Sequence, residues 1–302
     1  MNDKINFHDL HELALKLAKE PPFTADNIYV DLLLTDTIDE IQSRFDFVLK
    51  GGTALIKTQS SPYRFSYDLD FSNFSKENPR KQYKRYQKPL EELITALGFD
   101  VENSDTDKHR EGGRIFIVNL MDKAGYLKRS VKLSISSIDK TPCFPPVTTA
   151  FKPVVKIDEG RFGLLYPQLI PRLNNINARM LTIDELCAEK IRALATRGPA
   201  EGWTFLLRDV FDLYVLDEKG VLDKVLSQEE YQDCVRHKFE SIKGTGYWNK
   251  FKDFMTRELS VKIREEDLSI FFKPELINEK KATYTINKVQ KALKELLHDI
   301  KE

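Results

Sequence analysis

The spacing of apolar residues in the N-terminal part of the chain predicts two helices. In the segment 8–19, apolar side chains recur every three or four positions, which is the period of one helix face. After a pair of prolines, Thr24 can cap a second helix that continues to about Arg44. The residues expected to face the core are Leu10, Leu13, Ala14 and Leu17 in the first helix and Ile28, Leu32, Ile38 and Ile41 in the second.

A shorter pattern follows. Apolar residues at 47–49 predict a strand, the glycine pair at 51–52 predicts a turn, and a short helix is predicted from Thr53. A second strand then carries Asp68 and Asp70, which alternate with apolar residues. Because side chains alternate along a strand, these two carboxylates share one face, with Cα atoms roughly 7 Å apart.

The rest of the chain predicts strands first and helices afterwards. A charged helix is predicted after Pro79, over residues 80–99, and it contains Pro89, which is expected to kink it or divide it into two helices. The predicted strands lie at 98–103, 113–120 and 129–136, and short strand-like segments continue to about 181 after a proline-rich connection at 141–153. The predicted C-terminal helices lie at 182–197, 204–216, 227–241, 245–259 and 283–301.

This order of elements predicts an α+β protein, in which a mixed β-sheet with flanking helices is followed by a helical C-terminal domain. A chain of 302 residues has room for two domains of ordinary size. The proline-rich connection predicts a boundary near residue 150. We therefore expect a core domain with N-terminal helices at 1–150 and a mainly helical domain at 151–302.

Charge and composition exclude several classes of protein. Acidic and basic residues balance at 47 each, so binding of nucleic acid would depend on a local basic patch. Three widely separated cysteines argue against a disulfide framework. The N-terminus is amphipathic and contains acids, unlike a signal peptide, and no apolar run approaches the ~18 residues of a membrane-spanning helix. These features predict a globular, cytoplasmic protein that does not enter a membrane.

The most basic segment lies in the predicted helix that contains Pro89. Its cations are Arg80, Lys81, Lys84, Arg85 and Lys88, with Tyr83 and Tyr86 among them. Such a patch can hold an RNA backbone while the tyrosines stack on bases. Alternatively, these residues form the solvated face of a helix whose apolar face carries Leu90, Leu93, Ile94 and Leu97.

The carboxylates of Asp68 and Asp70 predict a metal site. Two carboxylates held together on a strand suit Mg²⁺, which prefers oxygen ligands and shares them with substrate phosphates. Gly51 and Gly52 precede a helix N-terminus, where backbone N–H groups favour an anion such as a phosphate. Each feature has an ordinary alternative, a simple turn or a solvated strand edge, but their order along the chain favours one combined site.

Arg64 and Ser66 are further candidates for this site. They precede Asp68 by four and two positions, so we expect them on the same face of the strand. There they could orient the carboxylates or contact phosphate oxygens.

Two predicted helices carry a second set of candidates: Lys190, Arg197, Asp209 and Asp212. Lys190 and Arg197 are two turns apart and project from similar faces of one helix. Asp209 and Asp212 are three positions apart and are neighbours on the next helix. From the residues alone, the alternative is that the cations are ordinary exposed charges and that Asp209, with Arg208, ties its helix to the preceding one.

Together these residues resemble a known family. The motif LKGGTAL followed by RFSYDLDF is similar to the motif of the DNA polymerase β-like nucleotidyltransferase superfamily. More narrowly, it resembles the AbiEii/AbiGii toxin family, which includes the MenT toxins. The narrower resemblance includes the patterns Lys-x-x-Ala-x-x-x-Arg from Lys190 to Arg197 and Arg-Asp-x-x-Asp-Leu from Arg208 to Leu213. The motifs cover roughly residues 47–74 and 182–216.

The resemblance implies a nucleotidyltransferase fold in which the helical C-terminal domain completes the active-site cleft. It implies transfer of a nucleotide from an NTP to an acceptor hydroxyl, with pyrophosphate released and a tRNA 3′ end as the acceptor. The implied outcome is growth inhibition by the toxin of a bacterial toxin–antitoxin pair. A cognate antitoxin is therefore the expected protein partner.

The resemblance also implies residue roles. The implied catalytic residues are Asp68, Asp70, Lys190 and Asp212. The implied nucleotide- and phosphate-binding residues are Gly51, Gly52, Thr53, Arg64, Ser66 and Arg197. In this scheme Asp68 and Asp70 hold Mg²⁺, while Asp212 activates the acceptor hydroxyl or fixes Lys190, and Asp209 is an additional candidate.

The chain departs from the superfamily at one position. Many nucleotidyltransferases place a third carboxylate on a later strand of the sheet. The matching strand here, VKLSIS, carries Ser134 and Ser136 with Lys132 before them, and no acid follows until Asp139. This favours a site with one firmly held Mg²⁺ over a two-metal site.

Two alternative functions share the aspartate pair. A small-molecule nucleotidyltransferase, such as one that modifies an aminoglycoside, would carry an acidic pocket for its cationic substrate. A non-catalytic nucleotide-binding or interaction protein on the same fold would bind an NTP without turnover, and the missing strand acid is compatible with that function.

Overall fold

The computed structural model describes residues 5–18, 23–59, 62–75, 77, 79–102, 114–136, 142–197, 203–263, 268, 271–272 and 277–298. The chain divides into two compact units, residues 1–181 and residues 182–302. The first unit contains a β-sheet with helices, and the described part of the second consists mainly of helices.

Helices α1 (Phe7–Leu17) and α2 (Ala25–Gln42) confirm the apolar pattern at the N-terminus. The side chain of Thr24 caps α2, because its hydroxyl accepts a 3.2 Å hydrogen bond from the backbone N–H of Asn27. Seven of the eight residues predicted to face the core are buried: Leu10, Leu13, Ala14, Ile28, Leu32, Ile38 and Ile41.

The first unit is built on a mixed sheet, with seven strands among the described residues and the order β3-β4-β5-β2-β1-β7-β6. The strands are β1 (Val48–Lys50), β2 (Asp68–Ser72), β3 (Phe99–Glu102), β4 (Arg114–Asp122), β5 (Val131–Ser136), β6 (Val147–Phe151) and β7 (Ile176–Met180). Strand β2 lies inside the sheet, antiparallel to β1 and parallel to β5. The strand that carries the aspartate pair is therefore fixed by hydrogen bonds on both sides.

The described part of this unit contains four further helices: α3 (Gly51–Lys57), α4 (Pro79–Leu97), α5 (Glu159–Phe162) and α6 (Leu169–Asn174). Of the two outcomes expected at Pro89, the division into two helices does not occur, because α4 is one helix that runs through this proline. Burial of the apolar face of α4 offsets the hydrogen bond that a proline removes. The buried residues of that face are Leu90, Leu93, Ile94 and Leu97.

Near residue 150, where the sequence predicted a domain boundary, the structure has a strand. The proline-rich connection contains β6, which pairs antiparallel with β7, and β7 in turn pairs with β1. Because these strands belong to the sheet, the boundary between the two units falls after Leu181. The short helices α5 and α6 were not predicted at all.

The second unit confirms the prediction of a helical C-terminal part. Its helices are α7 (Ile183–Arg197), α8 (Trp203–Glu218), α9 (Val221–Ser227), α10 (Glu229–Glu240), α11 (Gly246–Thr256) and α12 (Glu279–Leu296). The single helix predicted at 227–241 corresponds to α10, which α9 precedes across the extended residue Gln228. Within the described part of the chain, no helix combines the length and the apolar character needed to cross a membrane.

Candidate active site

The two aspartates of β2 lie as the alternation predicts. Leu69 and Phe71 are fully buried, whereas Asp68 and Asp70 on the opposite face are partly exposed. Asp70 stands beside Lys50 of β1 on one side and Ser134 of β5 on the other. An interior strand thus presents two carboxylates on a face that solvent and ligands can reach.

Both oxygens of the Asp70 carboxylate have close neighbours. The hydroxyl of Ser134 donates a 2.5 Å hydrogen bond to Oδ1. On the other side, a Cβ atom added to Gly51 would lie 2.8 Å from Oδ2. Gly51 also has a φ of +76°, a backbone conformation that other residues adopt only with strain. Position 51 therefore requires glycine for two independent reasons.

Helix α3 begins at Gly51, two residues earlier than predicted, so Thr53 lies in the first turn of the helix. The Thr53 hydroxyl donates a 2.6 Å hydrogen bond to the backbone carbonyl of Asp68. Thr53 is almost completely buried. Its side chain therefore holds the first turn of α3 against β2, and only its backbone remains as a group that could bind phosphate.

Arg64 and Ser66 lie beside Gly52. The prediction that they share a strand face with Asp68 is wrong, because β2 begins only at Asp68. Both side chains nevertheless reach the glycine turn, since a Cβ atom on Gly52 would lie 2.9 Å from Ser66 Oγ and 3.0 Å from Arg64 Nη2. Arg64 is 2% exposed, and its Nη1 donates a 2.8 Å hydrogen bond to the carbonyl of Phe65. The turn, the arginine and the serine thus form one cluster next to the aspartate strand.

In the second unit, Lys190 and Arg197 of α7 both contact Asp209 of α8. The Lys190 ammonium lies 2.8 Å from Asp209 Oδ1 and 2.6 Å from Asp212 Oδ2. Arg197 Nη1 pairs with the other oxygen of Asp209. The two aspartates are buried, so each charge needs a partner, and Lys190 serves both.

These contacts bear on the alternatives that the sequence left open. Asp209 ties α8 to α7 through its contacts with Lys190 and Arg197, as expected if its role is structural. Lys190 is an ion-pair partner with a 12% exposed side chain, and so it is not an ordinary exposed charge. The contact between Asp212 and Lys190 is the one expected if Asp212 fixes that lysine. Functional roles for the four residues stay predictions.

The basic side chains of the patch on α4 are exposed where they are described, whereas Tyr86 is half-buried, with its ring centroid 5.2 Å from that of Phe47. Lys81, Lys84 and Lys88 face solvent. Arg85 pairs with Glu77 at 3.4 Å, and Lys88 lies 3.7 Å from Glu92. The side chains of Arg80 and Tyr83 fall outside the described part of the structure. Exposure is compatible with RNA binding and equally with a solvated helix face.

Ser134 occupies the place beside Asp70 where the sequence lacks a third acid. The parallel pairing of β2 and β5 sets Asp70 opposite Ser134 and Asp68 opposite Lys132. Asp139, the next acid along the chain, lies outside the described residues. The sequence VKLSIS shows that this strand has no acid. Only the strand register shows that Ser134 lies next to Asp70 and donates a hydrogen bond to it.

The mixed sheet, with paired aspartates on an interior strand beside a glycine turn, defines the nucleotidyltransferase fold. A solved structure with this fold is the nucleotidyltransferase toxin MenT4 from Mycobacterium tuberculosis H37Rv, which has a TM-score of 0.55 and 18% sequence identity and matches 94% of this chain and 89% of its own. Two Helicobacter pylori structures, a proposed nucleotidyltransferase and the protein JHP933, also match at 18% identity. Their TM-scores are 0.41 and 0.40, with 96% of this chain covered in each case and 99% and 97% of theirs.

The family model of the nucleotidyl transferase AbiEii toxin of type IV toxin–antitoxin systems matches residues 32–295. The chain therefore belongs to this toxin family, as its motifs indicated. A search of curated proteins gave no match.

Proposed function

We propose that this protein transfers a nucleotide from an NTP to the 3′ end of a tRNA, releases pyrophosphate, and thereby inhibits growth. The single observation that carries the proposal is the Asp68–Asp70 pair, held on an interior strand with Asp70 beside Gly51. Membership of the AbiEii toxin family supports nucleotidyl transfer as the reaction class.

The aspartate pair fits a magnesium ion. Both groups are carboxylates, the hard oxygen donors that Mg²⁺ prefers, and both are partly exposed on the same strand face. Asp68 and Asp70 would hold the ion, which when bound neutralises phosphate charge and orients the triphosphate. Ser66 is proposed to orient the same face from its place beside Gly52.

The glycine turn is proposed to receive the β/γ phosphates. Gly51 and Gly52 have no side chains between their backbone and a ligand, and the backbone of Thr53 continues the turn. Arg64 lies against Gly52, so its guanidinium can counter the charge that develops as the bond to pyrophosphate breaks. In-line transfer depends on such positioning and charge neutralisation more than on covalent chemistry.

We further propose that the α7–α8 cluster serves the same reaction. Lys190 and Arg197 would contribute positive charge toward the triphosphate, and Asp212 would accept the proton of the acceptor hydroxyl or hold Lys190 in place. Asp209 keeps both cations oriented through its two ion pairs. All four side chains belong to one connected network, so we expect their substitutions to be non-additive.

The tRNA acceptor and the antitoxin partner are proposed from membership of the toxin family. A type IV toxin–antitoxin system includes a cognate antitoxin, and we propose that both proteins act in the bacterial cytoplasm. The exposed lysines of α4 are suited to an RNA backbone, and contacts of this kind would make binding weaken as salt concentration rises.

The test is incubation of the purified protein with Mg²⁺, total tRNA and each labelled NTP in turn, with an Asp68→Ala variant alongside. We expect label at the tRNA 3′ end from the wild type and none from the variant, whose circular dichroism should match the wild type. Label that persists in Asp68→Ala would reject the proposed metal site. Pyrophosphate release that requires a small cationic acceptor instead of RNA would favour the small-molecule enzyme, and NTP binding without turnover would favour a binding protein.

A further inference from the structure

We infer that Ser134 is a positioning residue of the metal site, whose hydroxyl fixes the Asp70 carboxylate in the orientation in which it binds a divalent cation. The inference rests on the proposed function and names a residue that acts through Asp70, without itself contacting the substrate.

The sheet register brings the two side chains together. Parallel pairing of β2 and β5 sets Ser134 directly beside Asp70, and its hydroxyl donates a 2.5 Å hydrogen bond to Oδ1. Ser134 is 7% exposed, so water has little access to compete for that hydroxyl. A serine hydroxyl has one proton to donate, and this contact uses it.

Gly51 limits the other side of the same carboxylate. Its missing side chain leaves room for Oδ2, which would lie only 2.8 Å from a Cβ atom at that position. The hydrogen bond at Oδ1 holds Asp70 in one orientation, and Gly51 leaves free the space that Oδ2 occupies in that orientation. A ligand whose orientation is already fixed loses less conformational entropy when it binds a metal.

Charge explains why a hydroxyl suits position 134. A carboxylate there would stand beside Asp70 on the neighbouring strand, where like charges repel unless a cation lies between them. Serine orients Asp70 and adds no charge. Asp68 and Asp70 then supply two negative charges, which match one divalent cation.

The test is titration of the full chain with Mn²⁺, with the free ion followed by electron paramagnetic resonance and no nucleotide present. Removal of an outer partner of a metal ligand weakens binding by about 10- to 100-fold, and we expect a loss of this size in Ser134→Ala. Ser134→Thr keeps the hydroxyl and should restore affinity close to the wild type. Ser134→Val has nearly the same shape as threonine without the hydroxyl and should behave like alanine.

Ser136→Ala is the matched control, since Ser136 is buried two positions further along β5 and its backbone carbonyl bond to the N–H of Asn73 survives the change. Mn²⁺ affinity in this variant should equal that of the wild type. If Ser134→Ala and Ser134→Val bind as tightly as the wild type while Asp68→Ala does not, the positioning role is overturned and the metal site stands. If the wild type binds no Mn²⁺, the metal site and the inference both fail. The threonine–valine comparison excludes a packing defect, because both variants carry the same added bulk.

Discussion

At the scale of single residues, Gly51 is required both by its backbone conformation and by the close approach of the Asp70 carboxylate. Its φ of +76° favours glycine at any such turn, and its contact with Asp70 leaves no room for a Cβ atom. Gly125, in the loop between β4 and β5, has a similar φ of +75° with nothing within 4 Å of an added Cβ atom. The chain therefore contains its own control for separating strain from contact.

We predict that Gly51→Ala and Gly125→Ala both lower the free energy of unfolding, by about 1–2 kcal/mol for the left-handed backbone alone. Gly51→Ala should additionally weaken Mn²⁺ binding, because the new methyl group displaces the Asp70 carboxylate. Urea unfolding and Mn²⁺ titration of the two variants measure these effects separately. Equal Mn²⁺ affinity in the two variants would show that Gly51 is required only by its turn.

At the scale of elements, a buried ion pair fastens α3 to α2. Lys57, the last residue of α3, lies 2.5 Å from Asp31, and both side chains are 2% exposed. The lysine also donates to Thr35, while Asp31 accepts a 2.7 Å hydrogen bond from the backbone N–H of Val154. Burial lowers the pKa of Lys57, an effect that the Asp31 carboxylate opposes. The helix that begins at the glycine turn is therefore anchored at its other end.

We predict that Lys57→Met lowers the free energy of unfolding by about 3–5 kcal/mol, because it leaves Asp31 buried without its ammonium partner. Lys88→Met is the control, since Lys88 is exposed and its pairing with Glu92 is loose. Urea denaturation compares the two. A small loss in Lys57→Met would mean that the pair contributes little to the anchoring of α3.

The contact between α2 and α6 makes stability depend on pH. Burial raises the pKa of Asp36 to about 6, although Arg172, 2.5 Å away, acts in the opposite direction. The folded state therefore holds the Asp36 proton more tightly than the unfolded chain, and the contribution of this group to stability decreases as pH rises from about 4 through 6.

We predict that the free energy of unfolding of the wild type, relative to Asp36→Asn, falls by about 2 kcal/mol between pH 4 and pH 7. The amide introduced by this substitution cannot titrate, so the difference between the two proteins isolates this one group. A constant difference between the wild type and Asp36→Asn across this range would contradict the raised pKa.

At the scale of the whole molecule, features set by nearby residues were predictable and features set by strand pairing were not. The Thr24 cap and the alternation in β2 depend on sequence neighbours, so the pattern shows them directly. The contact between Ser134 and Asp70 depends on β5 lying next to β2, although β3 and β4 separate them in the chain. No local pattern encodes that arrangement.

Two other differences between the prediction and the structure also arise from the arrangement of strands. Strand β6 lies at the edge of the sheet, where the prolines just before it need not donate to a neighbouring strand, so a proline-rich sequence gave no strand signal. Arg64 and Ser66 were placed on a strand because alternation continues through them, yet they reach the site from the segment before β2. The family motifs pointed to the aspartate pair, but the spacing of their residues does not predict how Arg64 and Ser66 approach Gly52.

The most direct test of the central claim is Mg²⁺-dependent pyrophosphate release from NTP and tRNA by the wild type, Asp68→Asn and Asp100→Asn. Asp100 is an exposed strand carboxylate outside the candidate site, so its variant controls for the loss of one charge. We predict that release requires Mg²⁺, persists in Asp100→Asn, and falls in Asp68→Asn by about 10²- to 10³-fold, the loss typical for removal of a preorganised electrostatic contact. Equal release in the wild type and Asp68→Asn, or no release from the wild type with any NTP, would contradict the account.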